Sequence, residues 1–281
     1  MDLSKISPQR QAVLKRIEEY EKIGEFHKSV EDDPPAKELL EDQVDYLCKK
    51  FSSKCKRRLA NFLGDRYYLH LIKKGKLVIE SVEGKEHLSA LKDGAIISCN
   101  HFCTSDHYIV FHAIRKYLPK KYLYKIIREG NYTGFSGLYG LLFRHCNTLP
   151  LSRNRRTMIS FMSAVNTLLI SGESILIYPE QEMWWNYKKP RPFLVGGFKL
   201  AYRAKVPVLP IFISMQDDEK QIDEHGYPLQ RYTVHILPPV YPDLSLGEKL
   251  GSEQMKEQAF ALYKEKYESV YQKPLVYAEE E

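Results

Sequence analysis

The residues best suited to chemistry are a histidine and an aspartate that follow a short apolar stretch. His101 stands just after a predicted strand, Ala95 to Cys99, and Asp106 comes five residues later. A carboxylate that accepts the Nδ1 proton of an imidazole leaves Nε2 free to take a proton from a substrate, so the pair predicts a general base. A surface histidine at a helix start is the plainer alternative, because this spacing also arises by chance.

The elements around the pair place it at a corner between a strand and a helix. The strand is rich in β-branched residues and follows a Lys-Asp-Gly turn at 92–94, which is typical of a buried strand. Thr104 or Ser105 then caps a helix that is predicted to run to about Leu118. Open α/β sheets place ligand chemistry at such corners.

Strands and helices alternate between residues 77 and 240, which predicts an α/β fold with a single mixed, largely parallel sheet flanked by helices. The predicted strands are 77–82, 95–99, 121–128, 148–151, 174–178, 206–214 and 232–237. The predicted helices of this part are 105–118, 135–143, 155–170, 194–204 and 248–271. We therefore divide the chain into an N-terminal helical segment, 1–73, and an α/β domain, 74–281.

The first part of the helical segment is interpreted as a packing arm. Ser7 and Pro8 open one helix, with the serine as its cap and the proline in its first turn. A turn at 31–35 separates it from a second helix, predicted to begin near Ala36.

A third helix, Tyr46 to about Leu63, has one apolar stripe and a basic face. Residues 46–76 carry ten Lys and Arg against one acid, whereas residues 1–45 carry seven against twelve acids. A basic amphipathic helix is typical of an anionic membrane surface, so we predict lipid contact by Phe51, Lys54, Arg57 and Arg58. The alternative is an ordinary helix whose apolar stripe packs on the core.

The cysteines and the apolar runs of the sequence bear on where in the cell the protein is located. The five cysteines form no Cys-x-x-Cys pair, which favours reduced thiols and offers no zinc cluster. No apolar run approaches the ~20 residues of a membrane span, and the sequence shows no signal peptide. We expect a cytoplasmic protein that associates peripherally with the inner face of the membrane.

A second polar segment follows the predicted strand 174–178. Glu180 ends this strand, and a loop rich in aromatic and cationic residues comes next. Trp184 and Trp185 are expected to line an acyl pocket or to lie at a membrane interface. Gly196 and Gly197 open a helix and allow its backbone to approach a phosphate or the neighbouring strand.

Four segments in this order resemble the conserved blocks of the glycerolipid acyltransferases. They are Asn100-His101-x4-Asp106, then Arg153 after a short strand, then Tyr178-Pro179-Glu180, and finally Val206 to Ile211. The resemblance covers about residues 78–215 and is much more specific than the His–Asp pair alone.

The resemblance implies an O-acyltransferase. His101 would deprotonate an acceptor hydroxyl, and Asp106 would orient and charge-stabilise His101. Asn100 would support the turn and belong to the substrate-binding residues. The hydroxyl would attack the thioester of acyl-CoA or an acyl carrier protein, without an acyl-enzyme, a metal or another cofactor. Arg153 and Glu180 would bind the polar head of a lysophospholipid such as 1-acyl-sn-glycerol 3-phosphate.

The third block departs from the family pattern. The family reads Pro-Glu-Gly-Thr-Arg where this chain reads Pro-Glu-Gln-Glu-Met at 179–183, so a glycine and a phosphate-binding arginine are missing. Lys188, Lys189 or Arg191 would have to supply that cation. A glycolipid or another polyol lipid as acceptor, and a non-catalytic lipid-binding relative, are therefore the alternatives.

Two other classes of protein, a serine hydrolase and a nucleic-acid-binding module, fit the sequence less well. A serine hydrolase would need Gly-x-Ser-x-Gly, and the sequence at 134–138 lacks the last glycine. A nucleic-acid-binding module would use the basic stretch with Tyr67, Tyr68 and the cluster at 120–122, but no nucleic-acid fold signature accompanies these residues. We predict no nucleic-acid partner.

Overall fold

One mixed sheet carries the site in the computed structural model, which describes residues 6–32 and 36–278. Its strands are β1 Val78–Glu83, β2 Ala95–Cys99, β3 Leu123–Ile127, β4 Thr148–Pro150, β5 Ser174–Ile177, β6 Val208–Ile222 and β7 Pro228–Ile236. The helices of the described residues are α1 Pro8–Lys22, α2 Phe51–Lys73, α3 Asp106–Ile114, α4 Glu129–Thr133, α5 Gly137–His145, α6 Arg155–Ile170, α7 Gly196–Ala204 and α8 Glu248–Tyr271. Part of the predicted turn, 33–35, lies outside the described residues.

The strand order is β1-β7-β6-β2-β5-β3-β4. The five strands from β6 to β4 run parallel, β7 pairs antiparallel with β6, and β1 pairs parallel with β7. The predicted mixed, largely parallel sheet flanked by helices is confirmed. Because parallel strands end at the same edge of a sheet, the residues after β2, β5, β3 and β4 come together there.

The central strands are buried on both faces. Every residue of β2 and β5 is buried, which explains why both are apolar runs without alternation. One hydrophobic cluster joins the sheet to α6, α7 and α8, and a second joins it to α3.

The helices agree with the sequence where strong local signals exist. The predicted bounds of α6 and α8 are confirmed, and the Asn154 side chain caps α6 by accepting the N–H groups of Arg156 and Thr157. The helix predicted from Ala36 is wrong, since this stretch forms only a short 3-10 turn, Glu41–Gln43.

Helix α2 begins later than predicted and ends later. It starts at Phe51 because the Asp45 carboxylate accepts the N–H groups of Lys49 and Lys50, which holds the preceding residues in a turn. In the part of the chain that the structure describes, no helix combines the length and the apolar character needed to cross a bilayer.

The N-terminal helix α1 packs over the loop that follows β5. Its Val13 and Ile17 join one hydrophobic cluster with Trp184, Trp185 and Tyr227. The interpretation of this segment as a packing arm is therefore confirmed.

Candidate active site

His101 and Asp106 form a hydrogen-bonded pair at the carboxyl end of β2. The Nδ1 atom of His101 lies 2.7 Å from Oδ2 of Asp106. Burial opposes ionisation of Asp106, but the charge and hydrogen bond of His101 and the hydroxyl of Tyr178 lower the pKa of this carboxyl. A charged Asp106 selects the tautomer with the proton on Nδ1, which leaves Nε2 of the 21% exposed His101 side chain as an acceptor.

Tyr178 is a third member of this pair. Its hydroxyl donates to Oδ1 of Asp106 at 2.6 Å, and its ring stacks on the imidazole of His101 with centroids 3.9 Å apart. From the sequence, Tyr178 was named only as a neighbour of Glu180. Its position directly after β5 was a signal for a role at the sheet edge.

Asn100 supports the turn between the strand and the histidine. Its side-chain amide donates to the carbonyl of Ile213 at 3.0 Å and accepts the N–H of the same residue at 2.8 Å. These two hydrogen bonds to β6 and the burial of Asn100 leave no surface for substrate. The assignment of Asn100 as a substrate-binding residue is therefore wrong.

Glu180 and Arg191 form a buried ion pair behind His101. Glu180 accepts the backbone N–H of His101 at 3.2 Å, and Nη2 of Arg191 lies 3.0 Å from the same carboxylate oxygen. Arg191 is 0% exposed and also donates to the carbonyl of Phe26. The prediction that Glu180 and Arg191 bind the acceptor is wrong, because neither side chain reaches solvent.

Both tryptophans of the loop are buried. Trp184 lies against the guanidinium of Arg191 and donates its indole N–H to the carbonyl of Lys28. Trp185 packs on Tyr227, the residue before β7. The expected contact of Trp184 and Trp185 with membrane or acyl chain is therefore wrong, since the loop folds under α1 and not over the surface.

The two lysines of the loop have partners of their own. Nζ of Lys188 lies 2.7 Å from Asp217 of β6, and Nζ of Lys189 lies 2.5 Å from Glu21 of α1. Both lysines are therefore paired with carboxylates of β6 and α1, and their supply of the missing cation remains a prediction.

Gly197 at the start of α7 serves packing. A side chain at Gly197 would meet Ile177 of β5, so this glycine allows the predicted close approach of helix and strand. Gly196 has open space around it, and a phosphate contact of either glycine remains a prediction.

Gln181 keeps the backbone shape of the glycine that it replaces. Its φ is +64°, in the left-handed region that favours glycine. The third block therefore retains its turn and loses the chemistry of its arginine.

A cavity of about 340 Å³ opens beyond β3 and β4 at the same sheet edge. Arg128 and Glu129 follow β3, and Ser152 and Arg153 follow β4; all four line the cavity. Arg153, a predicted acceptor-binding residue, thus lies where a head group would fit. Arg128 and Glu129 were missed, although their position after a parallel strand marks them by the same rule that marks His101.

The residues predicted to contact a membrane divide into two faces of α2. Arg57 donates to the hydroxyl of Tyr124 and lies over the ring of Tyr122, so it anchors the helix to the domain, and its lipid contact remains a prediction. Phe51 is 82% exposed, and Lys54 and Arg58 are exposed beside it.

Comparison with known proteins gives concordant results. Residues 80–214 match the family model described as Acyltransferase. A 1-acyl-sn-glycerol-3-phosphate acyltransferase alpha from Ovis aries is 33% identical over 108 residues, which are 38% of this chain and 37% of the relative. The corresponding protein from Bos taurus is 30% identical over 161 residues, 57% of this chain and 53% of the relative. The chain thus spans about half or less of these curated relatives.

A solved structure shares the fold. The crystal structure of the 1-acyl-sn-glycerophosphate (LPA) acyltransferase from Thermotoga maritima aligns with a TM-score of 0.53 at 17% identity, covering 81% of this chain and 86% of that one. The matched region contains the His101–Asp106 pair, Arg153 and the third block, each at the end of a parallel strand. Through this region the chain is similar to the acyltransferase family, and the relatives that it matches are named as glycerolipid acyltransferases.

Proposed function

We propose that the protein transfers an acyl group from a thioester donor to a hydroxyl of a lipid acceptor, with His101 as general base. The observation that carries this proposal is the 2.7 Å contact between His101 and a charged, buried Asp106, with Nε2 directed away from that bond. The match of residues 80–214 to the acyltransferase family model supports the same reaction.

The transfer follows from this geometry. Nε2 takes the proton of the acceptor hydroxyl as its oxygen attacks the thioester carbonyl carbon, and Asp106 stabilises the imidazolium that forms. The tetrahedral intermediate collapses with cleavage of the carbon–sulfur bond, and His101 returns the proton to the thiolate. The products are an ester and a free thiol, and no acyl-enzyme forms.

The identities of the acyl donor and of the acceptor lipid are more specific proposals than the reaction itself. Acyl-CoA and acyl carrier protein are the two donor candidates. A lysophospholipid such as 1-acyl-sn-glycerol 3-phosphate is the acceptor suggested by the names of the relatives. Met183 in place of the family's arginine favours a glycolipid or another polyol lipid as the second candidate. A non-catalytic lipid-binding relative is disfavoured by the intact His101–Asp106 pair.

We also propose that α2 docks on an anionic membrane surface. Gly64 and Asn61 face α5 and Asn147, whereas Phe51, Leu59 and Phe62 are exposed on the opposite side. Exposed aromatic and aliphatic residues flanked by lysine and arginine are typical of interfacial helices. The cytoplasmic side of the membrane remains a prediction, supported by five cysteines that are all free.

The experiment is release of thiol from acyl-CoA and acyl carrier protein with a panel of lysolipid acceptors. The wild type should release thiol in an acceptor-dependent way, and His101→Gln should lower this rate by about 10² to 10⁴-fold, the usual contribution of a general base. His87→Gln, in the 3-10 turn Lys85–Leu91, is the matched control and should keep full activity. Acceptor-independent release, or equal rates in both variants, would rule out the proposal.

A further inference from the structure

Each arginine at the cavity already has a carboxylate partner from this chain. Nη1 of Arg128 lies 2.8 Å and 3.0 Å from the two carboxylate oxygens of Glu182, and Nε of Arg153 lies 3.2 Å from Glu129. Burial opposes ionisation of Glu129, but hydrogen bonds from the Leu39 N–H, from Ser152 and from Arg153 outweigh it and lower the pKa of Glu129. Arg128, Glu129 and Arg153 line the cavity, and Glu182 pairs with Arg128 at its edge, so the two cations are balanced by two anions.

A phosphate monoester fits this charge balance poorly. It carries about −1.5 to −2 charges at neutral pH. Moving it from water into a concave site whose cations are already paired removes hydration without an unshared counter-charge in return. Glu182 would in addition repel it at the Arg128 end of the cavity.

An uncharged head group rich in hydroxyls fits better. Each hydroxyl both donates and accepts hydrogen bonds. The guanidinium groups of Arg128 and Arg153 supply donors. The carboxylate of the lining residue Glu129 and that of Glu182, which is bonded to Arg128, supply acceptors. A sugar or polyol would satisfy both kinds of group at once.

The cavity is connected to the His101 site through Glu182. The N–H of Glu182 donates to the carbonyl of Glu180 at 2.9 Å, and the Glu180 carboxylate accepts the N–H of His101. The residue that neutralises Arg128 is therefore fixed to the residue that positions the base, and both sites share one edge of the sheet.

We propose that this cavity selects an acceptor with an uncharged sugar or polyol head over one with a phosphate monoester, and that Glu182 is the residue that sets this choice. The inference rests on the proposed acyl transfer and narrows its acceptor. It assigns to Glu182 a role opposite to that of a phosphate-binding cation.

The test compares acceptors that share one acyl chain and differ in the head group. Thiol release is measured with 1-acylglycerol 3-phosphate, monoacylglycerol and a monoacyl glycosylglycerol, for the wild type, Glu182→Gln and the control Glu224→Gln, an exposed acid of the turn between β6 and β7. The wild type should prefer an uncharged acceptor by about tenfold or more in kcat/KM. Glu182→Gln should reduce that preference at least about fivefold by improving use of the phosphate acceptor, and Glu224→Gln should not change it.

The outcomes separate this inference from the proposed function. Equal or better use of the phosphate acceptor by the wild type, or an unchanged preference in a folded Glu182→Gln variant, overturns the inference and leaves acyl transfer standing. If no acceptor stimulates release, acyl transfer is disproved, and binding of the same three lipids to the wild type decides the inference alone. Tighter binding of the phosphate lipid would overturn it, and tighter binding of an uncharged lipid would support it.

Discussion

Asp106 is shared between two side-chain donors, and both lower the pKa of this carboxyl. One carboxylate oxygen accepts from the imidazole and the other from the Tyr178 hydroxyl. Burial lowers the pKa of the adjacent His107 to about 3 and raises the pKa of the Cys103 thiol. Glu180 faces His101 from behind but is ion-paired with Arg191. An acidic limb of the pH–rate profile would therefore report the His101–Asp106 pair.

Tyr178→Phe is expected to shift that limb to higher pH. The Tyr178 hydroxyl is one of the groups that lower the pKa of Asp106, so without it this carboxylate is protonated at a higher pH and stops orienting the base there. We also expect a loss of kcat of about threefold or more.

The measurement is kcat/KM against pH for both proteins. Tyr271→Phe, which removes a hydroxyl that bonds to the backbone of Met215, is the matched control and should keep the wild-type profile. A uniform drop in rate with no change in the profile would mean that Tyr178 is merely structural.

At the scale of elements, the strands that carry the site were predictable and some connecting segments were not. β2 and β5 are short apolar runs bounded by turn residues, and buried parallel strands have few other patterns. The adjacent tryptophans of the loop were misplaced because sequence polarity around Trp184 does not show that α1 covers it. Likewise, the partners of Lys188 and Lys189 come from β6 and α1, which lie far away in sequence.

The exposed face of α2 should determine binding to membranes. Replacing Phe51 and Phe62 by serine removes two exposed aromatic side chains, and replacing Lys54 and Arg58 by alanine removes about 1 kcal/mol each of attraction to anionic lipid. Both double variants should bind anionic vesicles less tightly in a sedimentation assay, and the loss from the charge variant should shrink at high salt.

Leu250→Ser is the control for this experiment. Leu250 lies on α8 and is 65% exposed, so it matches the apolar change on another helix. Wild-type affinity for vesicles in both double variants of α2 would disprove membrane docking by this helix.

At the scale of the whole molecule, Arg191 ties distant parts of the chain to the base. It joins Glu180 after β5 to the carbonyl of Phe26, which follows α1. The sequence showed Arg191 as a free cation in a polar loop. Its burial could not be predicted, because it depends on contacts between segments more than 150 residues apart.

Arg191→Met is expected to lower the free energy of unfolding by about 3–5 kcal/mol, since it leaves the Glu180 carboxylate buried without a counter-charge. Adding Glu180→Gln should restore part of this loss, because the unpaired charge is then removed. Urea denaturation of the two variants measures both effects. A small loss of unfolding free energy in the single variant, or no recovery of it in the double variant, would show that the Glu180–Arg191 pair does not stabilise the fold in this way.

Direct acyl transfer with His101 as general base is tested by following a labelled acyl group from its thioester donor. Label should enter an acceptor lipid in the amount of thiol released, and none should stay on the protein. Transfer should fall about 10² to 10⁴-fold in a folded His101→Gln variant. Stable label on the protein, or transfer that survives the loss of His101, would contradict this mechanism.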